Sequence, residues 1–540
     1  MTAQSGHFPT LPPLPLQGKN PAFANIKSFT VYLPEHHTHK APEPMAPINS
    51  LPAELLVAVF VILRETASPL PWTRVMLVCR HWYEVICSSP GLWSTLVFDQ
   101  RCSAEVLKTL LPRSGGLRLD LSLDLHAVDP GQVLETLRPH AGRLQSLAIQ
   151  FSPDQLDDIC RRLESVSSAM VSLTLHCLTA QAPIFPLDPD AFPSLRSLYA
   201  IQVLPRPLAP MPRGVTRLEL TQIWHAIHAE EDHWQYDLLS TIAALPGLEY
   251  LVLHDALPPC MAFEDVSMAT VTLPCLRELE VSETIEDFKL FLQYVTIPAE
   301  AHLTIVARVR DAMWEPDVAG VLFAILPDNF DETLPMFHPT HALRLFAGHT
   351  VDGPLALSGY WGDGAVGPDD PAEWAIVLPD CGDLLTDTVS LSLMELPRLM
   401  PPAGLVHLEL HIAPRILLFD VDWAAVLSGF PLLLTLAIGS LWKAEAVVTA
   451  LYKHTELLPE LSTLMLCLEE VTADPARGPR APPEADVPRR EIEHVVVVEA
   501  DSEETAEPYI AGTFLGSMLQ SSNYVFEHSR CLACHVSSRL

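Results

Sequence analysis

Two hydrophobic rhythms divide this chain. The first is helical. From Leu51 onward, Leu51, Leu55, Val59 with Phe60, and Leu63 recur at the spacing of one helical face. Ser50 stands where a helix cap belongs, and Pro52 falls in the first turn, where a missing N–H costs nothing. Pro69 and Pro71 break the chain. A second helix is then predicted to carry Val75, Val78, Cys79, Trp82, Val85 and Ile86 on one face. Ser88-Ser89-Pro90-Gly91 stops it, and Leu92-Trp93 leads into Leu96–Phe98.

The second rhythm begins after residue 100. It is a phrase of one apolar residue, two variable, one apolar, one variable, one apolar. It appears at Leu144/Leu147/Ile149, Met170/Leu173/Leu175, Leu195/Leu198/Ala200, Val215/Leu218/Leu220, Leu248/Leu251/Leu253 and Leu276/Leu279/Val281. It returns at Leu405/Leu408/Leu410, Leu433/Leu436/Ile438 and Leu461/Leu464/Leu466. Successive copies start 26, 25, 20, 33 and 28 residues apart, then 28 and 28 in the later block. Those periods centre on the ~20–29 residues of leucine-rich repeats. Several copies carry a proline two residues before the first position, as in Phe192-Pro193 and Leu458-Pro459. The last half of the phrase predicts a short strand whose alternate residues face a core shared with the next copy.

The remaining segments punctuate this array. Residues 1–47 hold nine prolines and no sustained period, which predicts an extended, disordered lead-in. Residues 310–390 interrupt the repeats with loops rich in Gly, Asp and Pro, and with strand-like pieces at His341–Phe346 and Val389–Leu393. Residues 472–490 read as a surface loop, His494–Glu499 as a last strand and Ala511–Leu519 as a capping helix. The domain plan is therefore a lead-in over 1–47, a helical module over 48–99, a repeat domain over 100–520 and a flexible tail over 521–540.

Composition changes this picture little. The 540 residues are 49% hydrophobic with a mean hydropathy of +0.23, enough apolar side chain for a large core. The longest apolar run, Leu55 to Leu63, is far short of the ~18 residues of a membrane span. No basic segment followed by an apolar stretch opens the chain, so no secretory signal is predicted. Eleven cysteines without regular spacing then read as reduced thiols of a cytoplasmic or nuclear protein.

Charge matters more. The net charge is −33, and residues 1–100 carry six basic and six acidic side chains, so the whole excess lies beyond them. Such a surface repels phosphate backbones and argues against nucleic acid as a partner. It keeps an apolar array soluble and favours basic partners.

Candidate chemistry is thin. Gly362-x-Gly364-x-x-Gly367 matches a dinucleotide fingerprint as text, but Pro368-Asp369-Asp370-Pro371 stands where its helix should start. Cys531 and Cys534 lack a second metal-ligand pair, and His36-His37-Thr38-His39 lies in the proline-rich lead-in. His225, His228 and His233 beside Glu230, Glu231 and Asp232 read as a charged loop. No metalloprotease, serine-hydrolase or phosphate-loop motif occurs. The expectation is a protein that is not an enzyme and needs neither cofactor nor metal.

The segment Ile48–Phe98 resembles an F-box, in the form found in fungal F-box proteins with degenerate leucine-rich repeats. The residues that carry the resemblance are Leu51-Pro52-x-Glu54-Leu55, Val59-Phe60, Val78-Cys79-x-x-Trp82 and Pro90-x-Leu92-Trp93. It implies a mixed α and β repeat protein, a small N-terminal helical F-box followed by an irregular leucine-rich-repeat solenoid. It also implies a non-catalytic substrate receptor of a cullin–RING (SCF-type) ubiquitin ligase, with a Skp-type adaptor on the F-box and a target protein on the repeats. Adaptor docking is carried onto Leu51, Pro52, Leu55, Phe60, Val78, Cys79 and Trp82, while Leu56, Val75 and Val85 are expected to pack inside the module. The alternatives are a repeat scaffold with a vestigial F-box, or an enzyme with an unrecognised site within 310–390.

Overall fold

The computed structural model describes residues 51–66, 71–98, 104–178, 183–205, 211–223, 234–257, 270–308, 321–327, 329–348, 354–362, 370–379, 385–400, 404–413, 416, 418, 421–439, 441–468, 494–499 and 524–527. The lead-in, the 472–490 loop, the Ala511–Leu519 helix, the histidine clusters at 36–39 and 225–233, and Cys531 and Cys534 lie outside the described residues. Chain contacts separate two compact units, Met1–Pro52 and Ala53–Leu540. Of the first, Leu51 and Pro52 are described; Leu51 is half-buried and Pro52 exposed.

The second unit opens with helix α1 (Ala53–Thr66). The expected second helix is instead two pieces, a 3-10 turn at Pro71–Leu77 and helix α2 (Arg80–Cys87). They are split because Cys79 is fully extended, and its sulfur accepts the Trp82 N–H at 3.5 Å as the cap of α2. A second short turn, Pro90–Trp93, delivers the chain into strand β1 (Thr95–Phe98).

Seventeen strands then form one sheet among the described residues. In chain order they are β2 (Leu119–Asp124), β3 (Leu144–Phe151), β4 (Ser172–Cys177), β5 (Ser197–Ile201), β6 (Arg217–Thr221), β7 (Tyr250–His254), β8 (Glu278–Thr284) and β9 (His302–Arg308). There follow β10 (Ala342–Ala347), β11 (Leu355–Tyr360), β12 (Trp374–Leu378), β13 (His407–Ile412), β14 (Thr435–Ile438), β15 (Thr463–Leu468), β16 (His494–Glu499) and β17 (Tyr524–Glu527). Spatial order follows chain order from β1 to β9, and every neighbouring pair is parallel. Strand β17 lies inside the stretch expected to be a flexible tail, where Tyr524-Val525-Phe526 supplies strand-forming residues.

The repeated phrase explains this register. Its second apolar residue forms one rung of the sheet, unbroken leucine from Leu121 in β2 to Leu303 in β9. These leucines are buried, as are the first residues of the phrase, such as Leu144, Leu195 and Leu248. Each buried leucine stabilises the stack by roughly 1.5–3 kcal/mol, and no copy could bury them alone.

The 310–390 interruption adds three strands to the sheet and short helices beside them. Strands β10, β11 and β12 form two antiparallel pairings and insert in reverse order, so β9 pairs with β12 and β10 with β13. Only β11 runs against the rest. There Gly359 faces Trp374, where a Cβ would overlap the indole; the buried indole donates to Thr340 Oγ1 at 2.9 Å. Val389–Leu393, expected as a strand, lies within a helix at Leu385–Leu399. Leu385, Val389, Leu393, Leu396 and Leu399 recur at helical spacing and are all buried. No described helix is long and apolar enough to cross a membrane.

Candidate functional site

Helix α1 is apolar around most of its circumference, and the fold uses only part of it. Leu56 and Phe60 are buried. Phe60 meets Trp82 of α2 edge to face, with ring centroids 5.3 Å apart. Trp82, Val85 and Ile86 fill the facing side of α2. Trp93 closes the group, its indole donating to Ile86 O at 2.9 Å, and the Arg113 guanidinium covers the ring at 4.8 Å. Arg64 of α1 donates to Gly91 O at 3.2 Å, tying the helix to that turn.

The other side of α1 faces solvent. Leu55 is 53% exposed and Ile62, two turns along the same face, 59%. The break before α2 exposes Leu77 at 85% and Val78 at 60%. Four large apolar side chains within one short helical segment thus have no place in its interior. Single exposed apolar residues are normal; this concentration on one segment makes it a candidate contact surface.

The set expected to dock the adaptor therefore divides. Pro52, Leu55 and Val78 are exposed, Leu51 and Cys79 are half-buried, and Phe60 and Trp82 pack inside as the framework that fixes the two helices. Leu56 and Val85 are buried and Val75 is half-buried. Ile62 and Leu77, also exposed, lie outside the expected set. Ile62 follows Leu55 by seven residues on the same helical face, a spacing visible in the sequence. The exposure of Leu77 depends on the break at Val78–Cys79, which the apolar period runs straight through.

The module is not a detachable bead. Strand β1 pairs in parallel with β2, from Thr95↔Asp120 to Phe98↔Leu123. The helices are thus anchored to the first rung of the sheet.

The sheet's outer face carries a second concentration of chemistry. On one rung, Arg217 of β6 neighbours Tyr250 of β7 and then Glu278 of β8. On the next, Tyr199 of β5 neighbours Glu219, Val252 and Glu280. The Arg217 guanidinium lies over both tyrosine rings, 5.7 Å from Tyr199 and 5.3 Å from Tyr250. His254 Nε2 is 3.0 Å from Glu280 Oε1, and this contact holds the Glu280 carboxyl below its ordinary range. Glu219 makes no hydrogen bond or close ion pair among the described residues, and burial pushes its carboxyl up against the opposing pull of Arg217 and His254. Just beyond β5, β6 and β7, Gln202, Gln222 and Asp255 all take left-handed backbone conformations without being glycine.

Other carboxylates lie inside, Glu283 and Glu395 among them. Glu283 of β8 is buried and accepts the N–H groups of Ala256 and Leu257, the latter at 2.9 Å. Burial outweighs those bonds and pushes its carboxyl up to about 8. Glu395 accepts from Leu322 N at 2.8 Å and Phe323 N at 3.3 Å, and burial raises it to about 7. Both serve as caps for backbone segments. Of the glycine triplet, only Gly362 is described; it is exposed, just beyond β11. No group of three or more potential metal ligands occurs among the described residues.

Comparison with known families agrees with the helical segment. The F-box-like family model matches residues 48–99, which span α1, α2 and β1. No curated protein matches the chain. An F-box-like domain points to docking on the Skp-type adaptor of an SCF-type ubiquitin ligase, a role that is typically non-catalytic.

Proposed function

From an F-box protein whose F-box-like domain is joined strand to strand to a large parallel sheet, we propose a substrate receptor of an SCF-type ubiquitin ligase. The adaptor docks on the exposed apolar side of the helical segment, through Leu55, Ile62, Leu77 and Val78, with Cys79 contributing; Leu51 and Pro52 are assigned to the adaptor by the resemblance alone. Phe60 and Trp82 hold that side in shape. The sheet, read as an irregular leucine-rich-repeat solenoid, holds the target. Tethering raises the target's effective concentration beside the conjugating enzyme, so no residue of this chain need make or break a bond.

The observation that carries this reading is the exposure of Leu55, Ile62, Leu77 and Val78 within the segment that matches an F-box-like domain. Four such side chains in water are costly unless a partner covers them, and each fully covered one contributes roughly 1.5–3 kcal/mol. Pull-down of the full chain by purified Skp-type adaptor tests it, with Leu77→Asp plus Val78→Asp as the control. Deleting residues 48–99 is a poorer control, because it also removes β1 from the sheet. Capture of the unaltered chain and loss in the double variant supports the reading. A folded chain that the adaptor does not capture makes the interaction scaffold with a vestigial F-box the better account.

A further inference from the structure

We propose that the target is held on the outer face of strands β5–β8, around Tyr199, Arg217, Glu219, Tyr250 and Glu280, and that it is a segment bearing lysine or arginine. This rests on the receptor reading above and adds the place and chemistry of the second partner.

Side-chain type singles out these strands. The outer rungs of β3 and β4 present Ser146, Ala148, Ser172 and Thr174, which offer little to grip. On β5–β7 the same rungs present two tyrosines and an arginine, the residue types that dominate binding energy at protein interfaces. The Arg217 guanidinium is held over both tyrosine rings, so the three form a pre-ordered tile with little side-chain entropy left to lose.

Charge then selects the occupant. Three carboxylates, Glu219, Glu278 and Glu280, stand on these rungs against the single guanidinium of Arg217. Glu280 is held by His254, whereas Glu219 makes no close ion pair among the described residues, and burial pushes its carboxyl up against the weaker pull of Arg217 and His254. Glu219 and Glu280 flank Val252 on one rung, two strand spacings or about 10 Å apart. A cationic side chain laid along that rung can reach either carboxylate, and neutralising Glu219 relieves an unfavourable charge. The net charge of −33 draws the same partner from a distance and repels acidic ones. The left-handed residues Gln202, Gln222 and Asp255 add a row of backbone strain beside this patch, and such strain concentrates at binding sites.

The test uses the full chain and a fluorescent peptide of alternating lysine and alanine, with a glutamate–alanine peptide for comparison, read by anisotropy. The lysine peptide should bind, and its affinity should fall steeply as salt rises. Glu219→Gln with Glu280→Gln should weaken it about tenfold, and Tyr250→Ala several-fold. Glu300→Gln with Glu460→Gln removes equal charge from exposed positions elsewhere and should change affinity less than about twofold. Equal loss in the two glutamine pairs, or a lysine peptide that binds no better than the glutamate one, would overturn the proposal. Adaptor capture of the same preparations separates the two readings. Capture with no effect of the β5–β8 variants on peptide binding sinks the patch alone. An unaltered chain that binds the peptide but not the adaptor sinks the receptor.

Discussion

In the sheet, an apolar residue at a patterned position is a buried one; in the helical segment before it, that rule fails. The leucine rung from Leu121 to Leu303 is buried throughout. On α1, by contrast, Leu56 and Phe60 are buried while Leu55 and Ile62 are not, and Leu77 and Val78 are among the most exposed apolar side chains described. A stack of parallel strands supplies every copy with a neighbour on each side, so its pattern is spent internally. A pair of short helices has more apolar surface than interior. On the proposed reading, the difference separates apolar residues made for the fold from those left for a partner.

The strongest way to break this comparison is to cut side chains of each kind. Phe60→Ala should cost about 3–5 kcal/mol and Leu251→Ala about 2–5 kcal/mol, both read as lowered denaturant midpoints. Leu55→Ala and Ile62→Ala should each change stability by less than about 0.5 kcal/mol. If the exposed pair cost as much as the buried pair, the division between fold and partner residues would be wrong.

A buried carboxylate tests the sheet from the polar side. Glu283 occupies an inward position of β8, where the folded chain keeps its proton up to about pH 8 while the unfolded chain releases it near 4.5. Between those values folding takes up a proton. Stability is therefore highest near the lower end and falls as pH rises through the window, by an amount on the order of a few kcal/mol. Glu395 adds a loss of the same sign up to about pH 7. Glu283→Gln keeps an oxygen for the Ala256 and Leu257 N–H groups and removes the charge. Unfolding curves from about pH 5 to about pH 8.5 should be flatter in this variant. Parallel curves for the two proteins would mean that Glu283 is not the group responsible.

How much of this was legible in the sequence follows the same line. The strands of the repeated phrase were readable because each copy keeps the same internal apolar spacing and packs on its neighbouring copy. Val389-Ser390-Leu391-Ser392-Leu393 misled because it alternates like a strand. The longer helical spacing through Leu385, Leu396 and Leu399 wins once the turn can pack. The reversed insertion of β10–β12 could not be read at all, because strand order depends on partners far along the chain. In the candidate site, the resemblance to a known module singled out Leu55 and Val78, and both are exposed. The burial of Phe60 and Trp82 was not legible, since periodicity places residues on a face without saying what covers it.

The exposed pair at the break gives a prediction on the partner side. Leu77→Ser with Val78→Ser should weaken adaptor binding by at least about tenfold while the denaturant midpoint moves little, because most of each side chain faces outward. A titration of labelled adaptor against both proteins measures it. Binding that survives this change would move the contact elsewhere and leave the exposure of Leu77 without a partner to explain it.

The smallest effect concerns Cys79, which stands on the boundary between the two kinds of residue. It is half-buried beside Val78, yet its sulfur accepts the Trp82 N–H and starts α2. A cap of this sort is worth roughly 0.5–1 kcal/mol, and serine supplies a better acceptor than the thiol. Cys79→Ala should therefore lower stability by about that much, and Cys79→Ser should restore it. Adaptor affinity decides the rest. If Cys79→Ser restores both stability and binding, the residue acts through the helix start, positioning Val78 for the partner. If it restores stability and leaves binding weak, the thiol itself lies against the adaptor, and the docking surface extends from Leu77 and Val78 into the first turn of α2.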